Sequence, residues 1–226
     1  MTAKERTIAL PDGASVSALW QKPKDAKAVL VLAHGAGAGM THKHMTATAD
    51  GLEARGIAVL RYNFSYMEKG SKRPDNPPVA HAAVRAAIAH AGKLAGGLPL
   101  FAGGRSFGAR MTSQAQALEP LPGVVGLVFF AWPLHPPGKA GVERAEHLSG
   151  VKMPMLFLQG SKDEFAETPL LQSTVKSLGK RAKLHLVEHA DHSFHVPAKS
   201  GRKDSDVLDE ILDAAAKWML AQTQSK

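Results

Sequence analysis

Gly104-Arg105-Ser106-Phe107-Gly108 follows the apolar run Leu98-Pro99-Leu100-Phe101-Ala102 and precedes a helix-like stretch, Ala109 to Leu118. A G-x-S-x-G pattern between a strand and a helix is the context of a nucleophile elbow. The chemistry explains the spacing. A serine presented on a sharp turn has strained backbone geometry, and glycine two residues before and after removes the Cβ atoms that would collide. The Ser106 hydroxyl then stands above the strand, with the Phe107 N–H directed at the same place. The pattern alone also describes a plain glycine-rich turn, so the rest of the chain has to decide.

Strand-like and helix-like segments alternate on both sides of it. Ile8 to Leu10 and Val16 to Trp20, split by Pro11-Asp12-Gly13, predict an opening hairpin. Ala28 to Ala33 is a continuous apolar run, as expected of a strand buried on both faces. A helix is expected over His44 to Arg55 and a strand over Ile57 to Tyr62. A helix from Pro77 should stop near His90 at Gly92. Strands are expected at Val124 to Phe130, Met155 to Gln159 and Lys183 to Val187. A helix capped by Thr168 should run to about Leu178. Val207, Leu208, Ile211, Leu212, Ala215, Trp218 and Met219 have helical spacing and define the core-facing side of a last helix. The alternation predicts one α/β domain over residues 1–226, a mostly parallel sheet with helices on both faces. Functional sites in such sheets lie beyond the carboxyl ends of the strands.

Composition narrows the partners. The chain has 226 residues, 44% hydrophobic and 21% charged, and a net charge of +8. The basic residues are spread from Lys4 to Lys226 without interleaved aromatics, so no nucleic-acid partner is expected. The longest apolar run, Val124 to Leu134, is too short to span a bilayer, so no membrane partner is expected. Met1 to Arg6 leads into no apolar signal region, and the cytoplasm is the expected compartment. There is no cysteine, which excludes disulfides, thiolate metal sites and a cysteine nucleophile. The oligomeric state is not legible.

Three loops after strands should meet at one edge of the sheet. His34-Gly35-Ala36-Gly37-Ala38-Gly39 reads as an oxyanion hole, with the Ala36 N–H paired with that of Phe107. A structural glycine loop is the alternative, and the lysine and Ser/Thr of a phosphate-binding loop are absent. Gly160 to Phe165 offers Asp163 to orient a histidine, with Glu164 and Glu167 as rivals. His189 to His195 holds three histidines, His189, His192 and His195. One as general base for Ser106 is favoured over a zinc site, because no helical metal motif surrounds them. The order Ser106, Asp163, His192 is serine, acid, histidine.

With that order and context, the chain resembles the α/β-hydrolase superfamily, and more narrowly its small lidless members related to dienelactone hydrolase. The resemblance is carried by His34 to Gly39, Arg61 to Glu68, Gly103 to Arg110, Pro133 to Lys139, Gln159 to Phe165 and Ala190 to Phe194. Similar segments occur in a subgroup that includes a subunit of a histone acetyltransferase complex. The resemblance implies a Ser106–Asp163–His192 triad and an oxyanion hole at Ala36 and Phe107. Dienelactone hydrolase proper uses cysteine where this chain has Ser106, which separates the substrates.

The expected activity is that of a serine carboxylesterase needing no metal or organic cofactor, acting on small-molecule esters with room for bulky or polymeric ones. A peptidase, thioesterase or lactonase would use the same groups, and a non-catalytic interaction protein would keep only the fold. Ala131 to Lys152 is too short for a multi-helix lid. An open substrate pocket is expected, walled by Met40, Phe64, Tyr66, Trp132 and His135, with ordinary core packing of the same side chains as the equal alternative. Arg105 is expected in a structural salt bridge near the elbow, with a substrate carboxylate as the alternative partner.

Overall fold

The computed structural model describes residues 3–223, so Met1, Thr2 and Gln224 to Lys226, at the ends of the expected domain, lie outside the described residues. Eight strands form one sheet: β1 (Lys4–Ala9), β2 (Ser15–Gln21), β3 (Ala28–Ala33), β4 (Ile57–Tyr62), β5 (Leu100–Arg105), β6 (Val124–Phe130), β7 (Met155–Gly160) and β8 (Ala182–Val187). Their order is β1-β2-β4-β3-β5-β6-β7-β8. The β1–β2 hairpin and the β2–β4 pair are antiparallel, and every other pair is parallel. The helices are α1 (Lys43–Ala54), α2 (Ser65–Glu68), α3 (Pro77–Ala95), α4 (Phe107–Leu118), α5 (Thr168–Ser177) and α6 (Asp204–Thr223).

The sheet has a core on each face, which is why β3 reads as an unbroken apolar run. Val29, Val31 and Ala33 face the core built with α3, α4 and α5. Ala28, Leu30 and Leu32 face the core built with α1 and α6. Successive side chains of a strand point to opposite faces, so a strand covered on both sides has no polar position to spare. The stripe on α6 is buried as its spacing requires, from Val207 through Met219, with Leu208 partly covered.

Two element ends differ from the sequence reading. Helix α3 passes through Gly92 and ends at Gly96, whose φ of 62° lies in the left-handed region. Interior glycine costs a helix only about 1 kcal/mol. Ala95 is buried and Leu94 packs against the same core, which favours the extra turn. Thr168 does not cap α5: it is the first helical residue, and its Oγ1 donates to the Ser161 carbonyl. The irregular stretch after β6 holds one 3-10 segment, Glu143–Gly150, whose Ala145 and Leu148 pack inward; the described residues include no large lid domain.

The ends of β3 and β4 are tied by a buried histidine. His34 Nε2 accepts from the Phe64 N–H at 3.0 Å, and its Nδ1–H donates to the Gly35 carbonyl at 2.8 Å. Burial lowers the pKa of His34 to about 4, with the Gly35 bond opposing, so the ring is neutral near pH 7.

Two predictions follow from these contacts. A Cβ on Gly108 would lie 2.6 Å from the carbonyl oxygens of Ala33 and His34, both rigid backbone. Gly108→Ala is expected to lower the urea midpoint markedly or abolish soluble expression; an unchanged midpoint would contradict this packing. His34 titrates lower in the folded state than its ordinary 6.5, so the unfolded chain binds more protons in that interval. Stability should therefore be intact above pH 6.5 and fall as the pH drops towards 4, at about 1.4 kcal/mol per unit for this group. Denaturant titrations at several pH values should show a shallower slope in His34→Asn.

Candidate active site

Ser106 sits between β5 and α4 with φ 49° and ψ −113°, a conformation that non-glycine residues rarely adopt. Such strain costs on the order of 1–3 kcal/mol and persists only where the surroundings fix it. Here the Ser106 N–H donates to the Phe130 carbonyl at 3.0 Å, and its own carbonyl accepts from Arg110 at 3.1 Å. Gly104 and Gly108 let the elbow press against the end of β3; a Cβ on Gly104 would stand 2.6 Å from the Ala33 oxygen. The turn thus lifts the Ser106 side chain out of the sheet edge.

The histidine arrives from the loop after β8. His192 Nε2 lies 2.9 Å from Ser106 Oγ, and its Nδ1 lies 2.7 Å from Asp163 Oδ2. The His195 ring is directed elsewhere, pairing with Asp204 at 2.9 Å, and His189 donates its backbone N–H to Ser161 Oγ. Asp191 shapes the loop, with Oδ1 accepting from the N–H groups of Ser193 and His195.

Asp163 is the carboxylate that geometry selects. Its side chain has no exposed surface, whereas Glu164 and Glu167 face solvent. A buried carboxylate needs several donors. Oδ1 accepts from the Phe165 N–H at 2.8 Å, and Oδ2 accepts from Gln159 Nε2 as well as from His192. Gln159 is itself buried, and its Oε1 accepts from the Trp132 N–H at 2.9 Å. Gln159 was missed as a site residue. Its signal was a polar side chain ending an otherwise apolar strand. Phe165 was missed too: its ring lies 4.3 Å from that of His192, centroid to centroid.

The loop after β3 is braced from below. Tyr66 Oη accepts from the Gly37 N–H at 3.3 Å and reaches the Gly35 carbonyl at 3.4 Å. Asn63 Oδ1 accepts from the Met40 N–H, and the buried Arg61 donates to the Met40 carbonyl. Gly35 adjoins the elbow, since a Cβ there would be 3.7 Å from that of Ser106; the next residue, Ala36, is exposed. Phe107 begins α4, so its N–H has no partner within the helix.

The expected pocket walls are corrected. Phe64 and Trp132 have no exposed surface, Tyr66 and His135 expose 2%, and Met40 exposes 8%. Phe64 packs among His34, Tyr62 and Phe107 in the core. Trp132 donates through Nε1 to Ser113 Oγ beside Phe157. His135 ties the Pro136 carbonyl to the Glu167 N–H. These side chains support the loops that carry the site. Large rings directly behind a strand edge gain more by completing the core than by facing water. The expected salt bridge of Arg105 is also replaced: its Nη2 donates to the His192 carbonyl at 2.8 Å, and its guanidinium lies 5.7 Å from the Phe194 ring centroid.

Comparison with known proteins agrees with this architecture. A serine hydrolase without lid from Xanthomonas campestris is 22% identical, with 96% of this chain and 94% of that one covered and a TM-score of 0.73. A dienelactone hydrolase from Anabaena variabilis is 17% identical, covering 98% and 99%, with a TM-score of 0.74. Est1E from Butyrivibrio proteoclasticus, in a structure with ferulic acid bound, is 18% identical, covering 97% and 100%, with a TM-score of 0.79. At such identities the likeness is one of fold. A family model described as the alpha/beta hydrolase domain matches residues 26–220. The chain belongs to the alpha/beta hydrolase family, and its fold is that of the family's small lidless members.

Proposed function

We propose that the chain is a serine hydrolase acting on carboxylic esters, with Ser106 as nucleophile, His192 as general base and Asp163 as its orienting acid. The observation that carries the reading is the continuous hydrogen-bonded series from Ser106 Oγ through both nitrogens of His192 to a buried carboxylate. His192 Nε2 takes the hydroxyl proton as Oγ attacks the ester carbonyl. The ring then carries a positive charge beside Asp163, which holds Nδ1–H and fixes the tautomer. The N–H groups of Phe107 and Ala36 are assigned to the developing oxyanion. The imidazolium returns its proton to the departing alkoxide, which leaves as the alcohol. Water attacks the acyl-enzyme through the same base, releasing the acid and restoring Ser106.

Gln159 is assigned as a positioning residue. It is anchored by the backbone N–H of Trp132 and donates to Asp163 Oδ2, so the acid cannot turn away from His192 without losing the Gln159 bond as well. The ester preference is supported by the fold likeness to Est1E, whose structure holds ferulic acid, a carboxylic acid of the kind ester hydrolysis releases, and by the absence of a lid domain among the described residues, which leaves space for small esters and for bulky or polymeric ones.

Ser106→Ala is expected to fold normally, lose hydrolysis of p-nitrophenyl esters and lose labelling by a fluorophosphonate. His192→Ala should match it, while His189→Ala and His195→Ala retain most activity. Turnover at the wild-type rate in Ser106→Ala would refute the assignment. Asp163→Asn keeps the shape and removes the charge; a comparable change in a serine protease costs about 10⁴ in turnover, and a large loss in kcat is expected here. Gln159→Leu should lower kcat more than it raises KM, with the fluorophosphonate labelling rate falling in parallel. A pure KM effect would assign Gln159 to substrate binding instead.

A further inference from the structure

A cavity of about 380 Å³ opens behind the His192 loop, between the first turns of α1 and α6. That size falls within the roughly 300–1,000 Å³ usual for ligand pockets. Its lining combines polar side chains, Lys43, His44, Arg105, His195 and Asp204, with apolar ones, Phe130, Phe194, Leu208 and Ile211. Ser106 and His192 do not line it.

The charges in it are unbalanced. Asp204 is the lining's only carboxylate, and it is already engaged: Oδ2 pairs with His195 Nδ1 at 2.9 Å and Oδ1 accepts from the Val196 N–H at 3.0 Å. Among the described residues, neither Lys43 nor Arg105 forms an ion pair with a carboxylate. Arg105 spends one hydrogen bond on the His192 carbonyl, and among the described residues the other N–H groups of its fork meet no acceptor. Arg105 is half-buried, and a partly desolvated guanidinium without a counter-ion gains from an anion placed beside it. Burial lowers the pKa of Arg105, opposed by the more distant charges of Asp163 and Asp191. The positive field also registers on His44, whose pKa is lowered by burial and then by Arg105, His42 and Lys43, with Asp204 opposing.

We propose that this cavity binds a small organic carboxylate, its oxygens held by Arg105 and Lys43 and its apolar body against Phe130, Phe194 and Ile211. The guanidinium fork matches a carboxylate in two parallel bonds, and Ser193, also in the lining, adds a neutral donor. An inorganic anion would satisfy the charge but leave the apolar side chains uncovered. The site goes beyond the hydrolytic reading and stands on the cavity alone, since no group of the proposed catalytic series lines it.

The test uses sodium benzoate and neutral benzamide on the Ser106→Ala protein, followed by NMR of the histidine rings. Benzoate is expected to shift the His44 and His195 resonances saturably, to raise the titration midpoint of His44, and to bind at least about tenfold more tightly than benzamide. Arg105→Gln should weaken benzoate by about tenfold or more. Because Arg105 also holds the His192 loop, Lys43→Gln and Leu208→Trp give independent answers: the first removes a charge from the lining, and the second adds bulk among its apolar side chains. Both should weaken benzoate binding. Equal affinity for benzoate and benzamide, shifts confined to His192, or full affinity in Leu208→Trp would overturn the proposal. Fluorophosphonate labelling of the wild-type protein is read separately, so loss of benzoate binding with labelling intact rejects this site and leaves the hydrolase reading standing.

Discussion

The close approach of the β5–α4 elbow to the end of β3 is the constraint on which the site depends. Gly104 and Gly108 meet the carbonyls of Ala33 and His34 at distances no Cβ could tolerate. That contact holds Ser106 in its strained conformation and, by the same stroke, sets the β3 loop beside it. A serine on a relaxed turn would lie down on the sheet edge. The energy that keeps it raised comes from a sheet whose strands are buried on both faces, so the strain is borne by the whole core.

A second set of contacts fixes the partner of Ser106. The loops after β7 and β8 are pressed together where Gly160 meets the carbonyls of Ala190 and Asp191, and Lys162 donates to Ala190. Asp163 and His192 are brought into contact by this packing although 29 residues separate them. Gln159, Phe165 and the backbone at Trp132 then hold the pair in register. Burial strengthens each of these hydrogen bonds and makes each costly to lose, so the arrangement is rigid before any substrate arrives.

Arg105 joins the two regions. It is the residue before Ser106, it holds the carbonyl of His192, and its remaining donors face the cavity behind the loop. One side chain therefore has the elbow at its base and, at its guanidinium tip, both the histidine-loop carbonyl and the cationic recess. Charge that enters the recess acts on a group already bonded to the loop that carries the proposed base.

Local pattern alone settled much of this protein. Strand β3 was legible because burial on two faces leaves only apolar residues, and α6 because one covered face repeats at the helical period. Gly104-Arg105-Ser106-Phe107-Gly108 was legible because only glycine fits beside such a turn. The chain order of Ser106, Asp163 and His192 placed three candidates on one sheet edge, since parallel strands gather their carboxyl ends there. What sequence could not decide is whether a residue at that edge faces solvent or core. Met40, Phe64, Tyr66, Trp132 and His135 were read as walls, yet they pack beneath the loops, because burial depends on what the rest of the chain lays over them. The part played by Gln159 and the carbonyl partner of Arg105 were likewise set by tertiary contacts, while spacing alone left His189, His192 and His195 open and the family resemblance pointed to His192. Spacing along the chain fixes which atoms come near the edge; packing across the sheet decides which of them meet.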